Sequence, residues 1–524
     1  LVAEALAPEG IERLRSEGLE VDVSVGISRE ELLGRIEGAD AVIIRSGTRI
    51  DSELIERAVN LKVIGRAGIG LDNIDLDAAT RRGVLVVNAP QSNIHSAAEH
   101  TLALLLSMAR RIPAADASMR AGAWERDRFT GVELFGKTLG VLGLGRIGTL
   151  VAQRAAGFGM RLVGYDPYVS QSRAAQLGIE MLETVEELCS VADFITIHLP
   201  KTSETEAILG TRQFEVMKAG VRIVNASRGG IIDEAALLAA LQDGRVAGAA
   251  LDVYAKEPPT GSPLVQLEEV VVTPHLAGST EEAQTKAGVA IAEQVLLALR
   301  GEFAPYAVNV EGGAGYVEML KPFIPLTEKL GRILAAIAGA PLTEVRFEFH
   351  GTVAEQDTHV LTLAGLKGLL SSPDENVTFV NAPILAKERG IETHETRSAV
   401  SLDWVNLVRM RGTSSAGEVA VAGSLVGKRD EERIVQVFEY TIDMLPERFM
   451  TFLLYKDVPG VIGKVGSVLG EADINIAGMQ VSRENIGGEA LMGLTVDSPI
   501  PKEVLEQIVE TIGAREGRFI DLGA

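Results

Sequence analysis

The sequence is poor in cysteine and in aromatic residues. Cys189 is its one cysteine, and Phe, Trp and Tyr together make up 4% of the 524 residues. One cysteine excludes an internal disulfide framework and is typical of a reducing compartment, so we expect a cytoplasmic protein. Because Cys189 lies just before the apolar run 194–199, we expect it to be a core or strand-edge residue and not a nucleophile.

Positive charge is scarce as well, since 50 Lys and Arg residues stand against 72 Asp and Glu residues and the formal net charge is −22. This balance argues against a nucleic-acid partner, which needs a basic patch or stripe. The chain has no uninterrupted apolar run of about 20 residues, so we predict no membrane partner. Clusters of His, Cys and Asp at metal-ligand spacing are missing too, and we predict no metal site. Hydrophobic residues make up 46% of the chain, which is typical of a globular protein.

Residues 141–159, VLGLGRIGTLVAQRAAGFG, contain the most informative motif. Gly143, Gly145 and Gly148 follow an apolar run in the spacing G-x-G-x-x-G. The first glycine permits a tight turn, the second lets the backbone approach a pyrophosphate, and the third lets a helix pack closely on its sheet. Asp166 ends the next apolar run, where a carboxylate bonds the ribose 2′-hydroxyl of NAD and repels the 2′-phosphate of NADP. The stretch therefore predicts an NAD site, with a strand–turn–helix that binds no ligand as the alternative.

Short apolar runs alternate with polar, helix-compatible segments on both sides of this motif. The runs lie at 1–6, 20–25, 41–45, 63–65 and 84–87 before it, and at 162–166, 194–199, 222–226, 249–253 and 270–273 after it. This alternation predicts an α/β chain with two doubly wound parallel sheets. We expect a long apolar helix at 95–112 to lie between the two lobes, and a helix at 281–300 to cross back to the first lobe.

Two loops in the first lobe follow predicted strands at the edge where open α/β sheets bind ligands. One contains Arg45 and Ser46, and the other contains Arg66, Ala67 and Gly68. Backbone N–H groups of the second loop and the two guanidinium groups suit a phosphate or a carboxylate. The alternative is that these are solvated arginines beside ordinary turns.

Three more strand ends supply an arginine, an acid and a histidine, namely Arg228, Glu257 and His275. A dehydrogenase acting on a 2-hydroxy acid needs this set. His275 suits proton transfer, because its unperturbed pKa lies near 6.5 and a carboxylate such as Glu257 can raise it. Arg228 suits a substrate carboxylate because its planar fork binds both oxygens. A core-edge histidine, a turn glutamate and a surface arginine are the alternatives.

Together these motifs resemble the D-isomer-specific 2-hydroxyacid dehydrogenase family. The stretches that carry the resemblance are GLGRIG at 143–148, NASRGGIID at 225–233, LDVYAKEPP at 251–259 and VVTPHLAGST at 271–280. The resemblance implies Rossmann/flavodoxin-like lobes, NAD as cofactor, and Arg228, Glu257 and His275 as catalytic residues with His275 as the acid/base. The cofactor contacts that it implies are Gly143, Gly145, Arg146, Ile147, Gly148, Asp166, Ala226, Ser227, Asp252, Ala277 and Gly278.

Within the family, GRAGIGLDNID at 65–75 is most similar to the long-form phosphoglycerate dehydrogenase branch. This similarity implies NAD-dependent oxidation of D-3-phosphoglycerate to 3-phosphohydroxypyruvate, the first step of L-serine biosynthesis. Arg45 and the amides beside Arg66 would hold the substrate phosphate. Two alternatives stay open, namely another D-2-hydroxyacid dehydrogenase, such as a glycerate or hydroxypyruvate reductase, and a non-enzymatic NAD-sensing binding protein.

The carboxyl-terminal third follows a candidate linker at 300–315, RGEFAPYAVNVEGGAG. Beyond it, helix and strand patterns mix, with strand-rich stretches at 376–386 and 418–426. This region resembles the intervening domain of the same branch, which implies an assembly or anion-sensing role. A structural spacer is the alternative.

The last segment predicts the order β-α-β-β-α-β and resembles an ACT domain, a module that binds free amino acids between paired copies. The resemblance implies a feedback site for L-serine at Tyr455, Asp457, Pro459, Gly460 and Asn475. A ferredoxin-like dimerisation module without a ligand is the alternative.

We therefore expect four domains and a homo-oligomer, a tetramer assembled through its terminal modules. The domains are a substrate-binding domain at 1–93 completed by 287–308, an NAD-binding Rossmann domain at 94–286, an α+β intervening domain at 309–445 and a ferredoxin-like ACT domain at 446–524.

Overall fold

The computed structural model describes residues 1–310, 318–371, 377–401 and 403–523. Within these ranges the strands form four sheets, of three, seven, six and four strands. The first two sheets are parallel, the third is mixed and the fourth is antiparallel. The predicted α/β class with an α+β carboxyl-terminal third is confirmed.

The first lobe is built on the short parallel sheet. Its elements are α1 (Pro8–Ser16), α2 (Arg29–Ile36), β1 (Ala41–Ile44), α3 (Ser52–Arg57), β2 (Val63–Arg66), α4 (Leu76–Arg81) and β3 (Leu85–Asn88). The strands predicted at 41–45, 63–65 and 84–87 are confirmed. Those at 1–6 and 20–25 are wrong in extent, because they reduce to bridges from Val2 to Ile43 and to Val23. Pairing stops after Ala3 because Glu4 turns its carboxylate onto the loop after β1.

The second lobe contains the glycine motif. Its elements are α5 (Ile94–Ala109), α6 (Ile112–Arg120), β4 (Thr138–Leu142), α7 (Arg146–Ala156), β5 (Arg161–Tyr165), α8 (Gln171–Gln176), β6 (Glu180–Met181), α9 (Val185–Val191), β7 (Phe194–Ile197), α10 (Thr211–Val216), β8 (Val221–Asn225), α11 (Glu234–Gln242), β9 (Val246–Leu251) and β10 (Val270–Val272). The strand order is β10-β9-β8-β7-β4-β5-β6. The order reverses between β4 and β7, and α/β sheets bind ligands at the carboxyl ends of strands beside such a reversal.

Two helices connect the lobes. The predicted helix at 95–112 is α5, which buries most of its apolar residues and ends before Arg111, whose φ is +51°. The predicted crossing helix is α12 (Glu281–Leu299), which packs on α1, β2 and β3 of the first lobe. A Cβ on Gly10 of α1 would lie 2.5 Å from the carbonyl oxygen of Gly288 in α12, so this close approach requires glycine.

The core of the second lobe contains the lone cysteine. Cys189 lies in α9 and is fully buried. Burial raises the pKa of its thiol to about 12, so the thiolate is not populated at neutral pH. The prediction of a core residue is confirmed.

The first part of the predicted linker is ordered against the first lobe. Ala307 bridges Val87 of β3, and the side chain of Asn309 accepts the N–H of Val86 and donates to the carbonyl of Val84. The part of the linker at 311–315 lies outside the described residues.

The next region pairs a mixed sheet with helices on one face. Its elements are α13 (Phe323–Ile337), β11 (Leu342–Gly351), α14 (His359–Leu370), α15 (Ala382–Glu388), β12 (Glu392–Ser398), β13 (Asn406–Ser414), β14 (Gly417–Val426), β15 (Glu431–Val437) and β16 (Tyr440–Met444). The strand-rich stretch at 418–426 is confirmed as β14. The one at 376–386 is wrong, because Pro383 lies in the first turn of a helix, where its missing N–H costs nothing. Residue 376 lies outside the described residues.

The last segment has the predicted β-α-β-β-α-β order, which is confirmed. Its elements are β17 (Phe449–Lys456), α16 (Val461–Glu471), β18 (Ile476–Arg483), β19 (Glu489–Val496), α17 (Lys502–Ile512) and β20 (Glu516–Asp521), with the strand order β18-β19-β17-β20. Leu453 and Tyr455 of β17 face a core with α16 and α17, while Phe452 and Leu454 join the core of the preceding region. The segment is therefore packed onto its neighbour and not merely tethered to it.

None of the described helices combines the length and the apolar character needed to span a bilayer. No group of three or more His, Cys, Asp or Glu side chains is arranged within the described ranges to hold a metal ion.

Candidate active site

A cleft of about 330 Å³ opens between the two lobes, at the carboxyl ends of β1, β2 and β8. The predicted site residues that line it are Arg45, Ser46, Arg66, Ala67, Gly68, Ile147, Ala226, Ser227, Arg228, Glu257, His275, Ala277 and Gly278. The cleft therefore joins both predicted substrate loops to all three predicted catalytic residues. Gly143, Gly145, Arg146, Gly148, Asp166 and Asp252 lie outside its lining.

The glycine turn between β4 and α7 has the shape that a dinucleotide needs. A Cβ on Gly148 would lie 2.0 Å from the carbonyl oxygen of Gly143, so only glycine lets α7 begin this close to β4. Around Gly145, by contrast, no described atom lies within 4 Å of where a Cβ would stand. No described side chain caps the start of α7, whose first N–H groups can therefore bind phosphate oxygens. The turn fits the pyrophosphate of NAD.

Asp166 stands directly after β5, beside this turn. Its carboxylate accepts the N–H of Leu144 at 2.8 Å and the N–H of Tyr168 at 2.9 Å. The side chain therefore fixes the glycine turn and places a negative charge beside it, where it would face the ribose of a dinucleotide held by the turn. This charge fits the free 2′-hydroxyl of NAD.

His275 and Glu257 form an ion pair at the mouth of the cleft. Nδ1 of His275 lies 2.9 Å from Oε2 of Glu257, and the other oxygen of Glu257 accepts the N–H of Tyr254 at 3.2 Å. The hydrogen bond to Glu257 raises the pKa of His275, against the opposing effect of burial. Burial by itself would raise the pKa of Glu257, but His275 lowers it below its ordinary value. The pair can therefore store one proton at the cleft.

Asp252 does not line the cleft, and its predicted role as a cofactor contact stays a prediction. Its side chain is fully buried and accepts the Thr273 hydroxyl at 2.6 Å and the N–H groups of Leu276 and Ala277 at 2.7 and 2.9 Å. Burial would raise the pKa of Asp252, but these bonds and one from His100 lower it. Asp252 thus holds the segment that carries His275, and it acts on the site through the backbone.

Arg228 reaches the cleft from the loop after β8. Asn225 shapes that loop, because its side chain accepts the N–H of Ser227 at 3.0 Å and donates to the carbonyl of Arg228 at 2.9 Å. Nε of Arg228 lies 3.3 Å from Oδ2 of Asp72, in the glycine-rich loop after β2. The guanidinium therefore bridges the two lobes across the cleft.

The loop that carries Arg45 is fixed from both sides by residues that the sequence analysis missed. The carboxylate of Glu4 accepts the N–H groups of Arg45 at 2.9 Å, Gly47 at 3.2 Å and Thr48 at 2.7 Å. The side chain of Asn73 donates to the carbonyls of Arg45 and Thr48 at 2.7 and 2.5 Å. Because these amides are already bonded, the loop can offer a ligand the side chains of Arg45 and Ser46.

The amides of Ala67 and Gly68 in the second loop are already bonded within the chain, which corrects the expectation that they face a ligand. The N–H of Ala67 donates to Ile44 and that of Gly68 to Arg66, each at 2.8 Å. A Cβ on Gly68 would lie 1.6 Å from Nη1 of Arg66, so glycine makes room for the guanidinium. Burial lowers the pKa of Arg66 to about 10, with a further contribution from Arg228. Nε of Arg66 is buried without a partner among the described residues, and the side chain suits an anion.

Several polar side chains that were not predicted also line the cleft, among them Asn93 and Gln284. Asn93 stands before α5, and its Oδ1 is buried without a partner in the described chain. Gln284 lies in the first turn of α12. Their positions at the starts of two helices that face the cleft could have predicted them, but neither residue belongs to a recognisable motif.

A second cavity, of about 620 Å³, lies in the carboxyl-terminal segment. It brings together four of the five predicted effector residues, Tyr455, Asp457, Pro459 and Gly460. Asn475 does not line this cavity in the single chain, so its predicted part in a site between paired copies stays a prediction. Ile476 pairs with Val496, which pairs with the first residue of β17, whereas Tyr455 is near the end of that strand. A strand that follows a crossover helix runs parallel to the first strand, so β18 begins level with the start of β17 and away from the end that carries Tyr455.

Three family profiles match successive parts of the chain. "D-isomer specific 2-hydroxyacid dehydrogenase, NAD binding domain" matches residues 102–277, "D-3-phosphoglycerate dehydrogenase intervening domain" matches 319–438, and "ACT domain" matches 449–513.

Curated relatives are similar over the full length of the chain. The D-3-phosphoglycerate dehydrogenase of Mycobacterium tuberculosis is 47% identical over 524 residues, which cover 100% of this chain and 99% of the relative. Those of Methanocaldococcus jannaschii and Bacillus subtilis are 43% and 39% identical, with the same coverage.

Solved structures are similar over somewhat more than half of the chain. The TT0316 protein from Thermus thermophilus has a TM-score of 0.55 and 39% identity, and covers 59% of this chain and 98% of its own. The D-lactate dehydrogenase from Aquifex aeolicus complexed with NAD and lactic acid has a TM-score of 0.51 and 26% identity, and covers 57% and 96%.

Proposed function

The chain belongs to the D-isomer specific 2-hydroxyacid dehydrogenase family, among its D-3-phosphoglycerate dehydrogenases, and we propose that it oxidises D-3-phosphoglycerate to 3-phosphohydroxypyruvate, the first step of L-serine biosynthesis. As a member of this family the chain is an NAD-dependent oxidoreductase. The main support for this substrate is the convergence of Arg45, Arg66 and Arg228 on the cleft that holds the His275–Glu257 pair.

Three guanidinium groups match the charge of a substrate that carries both a carboxylate and a phosphate. We assign the substrate carboxylate to Arg228, which lies in the same lobe as Glu257 and His275. We assign the substrate phosphate to Arg45, which lies in the other lobe. Half-buried Arg66, whose Nε is buried without a partner among the described residues, has unused donor capacity and adds charge between them. Arginine binds both anions through paired N–H groups. A substrate without the phosphate would leave part of this charge unneutralised, which disfavours a glycerate reductase.

His275 is the proton acceptor in this proposal. Because its Nδ1 faces Glu257, Nε2 is the nitrogen left for the substrate hydroxyl. As the hydroxyl carbon is oxidised, Nε2 takes the hydroxyl proton, and Glu257 stabilises the imidazolium that results. Bound NAD supplies the hydride acceptor, and the glycine turn, Asp166 and the segment at 277–278 would hold it.

One panel of assays tests the reaction. NADH formation is measured with the full chain on D-3-phosphoglycerate, D-glycerate and D-lactate, while the oxo product is trapped. We expect kcat/KM to be highest for D-3-phosphoglycerate. Equal or higher values for D-glycerate would favour the reductase alternative, and the absence of NADH with every hydroxy acid would favour an NAD-sensing binding protein.

The carboxyl-terminal cavity supports binding of an amino-acid effector. We propose L-serine, because it is the end product of the pathway that this reaction begins. The carboxylate of Asp457 and the start of α16 at Gly460 suit an ammonium and a carboxylate. Asn475 can join this site only from a second copy of the chain. Serine is therefore titrated against the wild type and Asn475→Ala. We expect the variant to need more serine for the same inhibition, and unchanged inhibition would remove Asn475 from the site.

The proposed oligomer has support at a second surface. The helix α6 has no buried residue in the single chain, and Ile112, Met119 and nearby Trp124 are 52%, 53% and 75% exposed. A second copy would cover this apolar surface. This contact and the pairing of terminal modules would together give a tetramer. Light scattering tests the mass of the assembly, and a monomeric mass would contradict it. The four domain boundaries given above remain part of this proposal.

A further inference from the structure

The proposed effector cavity contains an ion pair that its sequence motif does not include. Arg483, the last residue of β18, places Nη1 2.6 Å from Oδ2 of Asp457. The Arg483 side chain is 50% exposed, and the Asp457 side chain is 19% exposed. Both line the cavity, with Tyr455 and Gly460 beside them. The carboxylate expected to take the effector ammonium is therefore already bonded to a cation of the chain.

From this pairing we propose that Arg483 binds the α-carboxylate of the amino-acid effector, so that the ligand inserts between the two partners of the ion pair. The inference rests on the proposed effector function of the same cavity. The ligand ammonium then replaces the guanidinium on Asp457, and the guanidinium turns to the ligand carboxylate. One ion pair within the chain becomes two ion pairs with the ligand.

The geometry makes this exchange feasible. The pair is half-exposed on its arginine side, and ion pairs that reach solvent stabilise a protein little, so turning the guanidinium away from Asp457 costs little once a ligand ammonium takes its place. The arginine side chain is long, half-exposed and ends in a planar fork that binds both oxygens of a carboxylate. Asp457 is held more firmly, because its backbone N–H donates to Gly488 at 2.8 Å in the β18–β19 turn. The arginine is thus the partner that moves.

The exchange predicts which ligands the cavity accepts. A molecule with both an ammonium and a carboxylate satisfies both partners. A molecule that keeps the ammonium but carries a neutral amide, such as L-serinamide, breaks the ion pair and leaves Arg483 unpaired. Arg483 therefore gives the site its selectivity for amino acids over their amides and amines.

Calorimetric titration of the full chain with L-serine and with L-serinamide tests this assignment. The quantity of interest is the ratio of the two dissociation constants in the wild type, in Arg483→Leu and in Arg483→Lys. We expect L-serine to bind the wild type at least about tenfold more tightly than the amide, because a charge-assisted bond is lost. In Arg483→Leu the two ligands should bind within about threefold of each other, and Arg483→Lys should fall between.

Arg448→Leu is the matched control. Arg448 is 53% exposed and pairs with Asp521 at 3.3 Å, beside the start of β17 and away from the cavity. Its removal should leave the ratio and the basal rate of NADH formation unchanged. Thermal melting of each variant reports whether it is folded.

Three results would contradict the assignment. An unchanged ratio in Arg483→Leu would make Arg483 a structural partner of Asp457 only. Tighter serine binding in that variant would mean that the arginine competes with the ligand. If the wild type binds neither L-serine nor other amino acids, the effector function itself is overturned, and this inference with it.

Discussion

Nδ1 of His275 lies 2.9 Å from a carboxylate oxygen of Glu257, although the two residues come from separate loops of the second lobe. The backbone of His275 has a φ of +56°, and its N–H donates to the carbonyl of Asp252 at 2.9 Å. Buried Asp252 also holds the next two amides, so the imidazole is presented to the cleft by a rigid segment. The ring orientation is therefore set before any substrate binds, and the same pair sets the proton affinity of the site.

Glu257→Gln should shift the pH dependence of the oxidation to lower pH. The bond to Glu257 raises the pKa of His275, and the glutamine carries no charge to do so. Oxidation requires the neutral imidazole, so kcat/KM rises as pH increases through the His275 pKa of the free enzyme. Lowering that pKa moves the rising limb of the oxidation profile to lower pH. The reductive reaction needs the imidazolium, so its activity falls as pH rises, and in the variant this fall should begin at a lower pH. Profiles of both directions check this, and superimposable profiles would contradict the role of Glu257.

His275→Ala should lower kcat by roughly 10²–10⁴-fold, the range in which a general base contributes. Binding of NADH should be retained, since the glycine turn and Asp166 are untouched. NADH fluorescence titration and steady-state rates measure the two quantities separately. A variant of normal turnover would exclude His275 as the proton acceptor. His359→Ala is the control, because His359 lies in α14 and does not line the cleft.

Glu4 provides a test of the loop that carries Arg45. Its carboxylate accepts three amides of that loop, and Glu4→Ala leaves all three without this partner. We expect KM for D-3-phosphoglycerate to rise about tenfold while KM for NAD is unchanged. In Glu4→Gln the new NH₂ group cannot accept an N–H, so this variant should be intermediate. Glu9→Gln, on the exposed side of α1, is the control. Equal effects on both Michaelis constants would point to a general loss of structure.

Site residues whose signal is local could be predicted from the sequence. Arg228, Glu257 and His275 each follow a strand of one parallel sheet, and parallel strands end at one edge, so their convergence could be predicted from the order of the runs. The glycine turn was readable for the same reason, because its three glycines and the strand before them are contiguous.

The residues that were missed or misassigned act through contacts between distant parts of the chain. Glu4 binds three backbone amides of that loop, and even the nearest of them in sequence, that of Arg45, is 41 residues away. The role of Asp252 in holding the backbone around His275 was missed, because the motif does not reveal that its carboxylate is buried there. The amides of Ala67 and Gly68 were misjudged because a glycine-rich loop does not reveal whether its N–H groups are already bonded.

Arg45→Ala should reduce the preference for a phosphorylated substrate. If Arg45 binds the phosphate, its removal costs a charge-assisted interaction and should raise KM for D-3-phosphoglycerate by about 10–100-fold. The activity on D-glycerate, which has no phosphate to lose, should change by less than about threefold. Arg49→Ala, an exposed arginine of the same loop region, should alter neither value. The decisive quantity is the ratio of kcat/KM for the two substrates. If that ratio is the same in Arg45→Ala and the wild type, the phosphate lies elsewhere in the cleft, and half-buried Arg66 is the next residue to substitute.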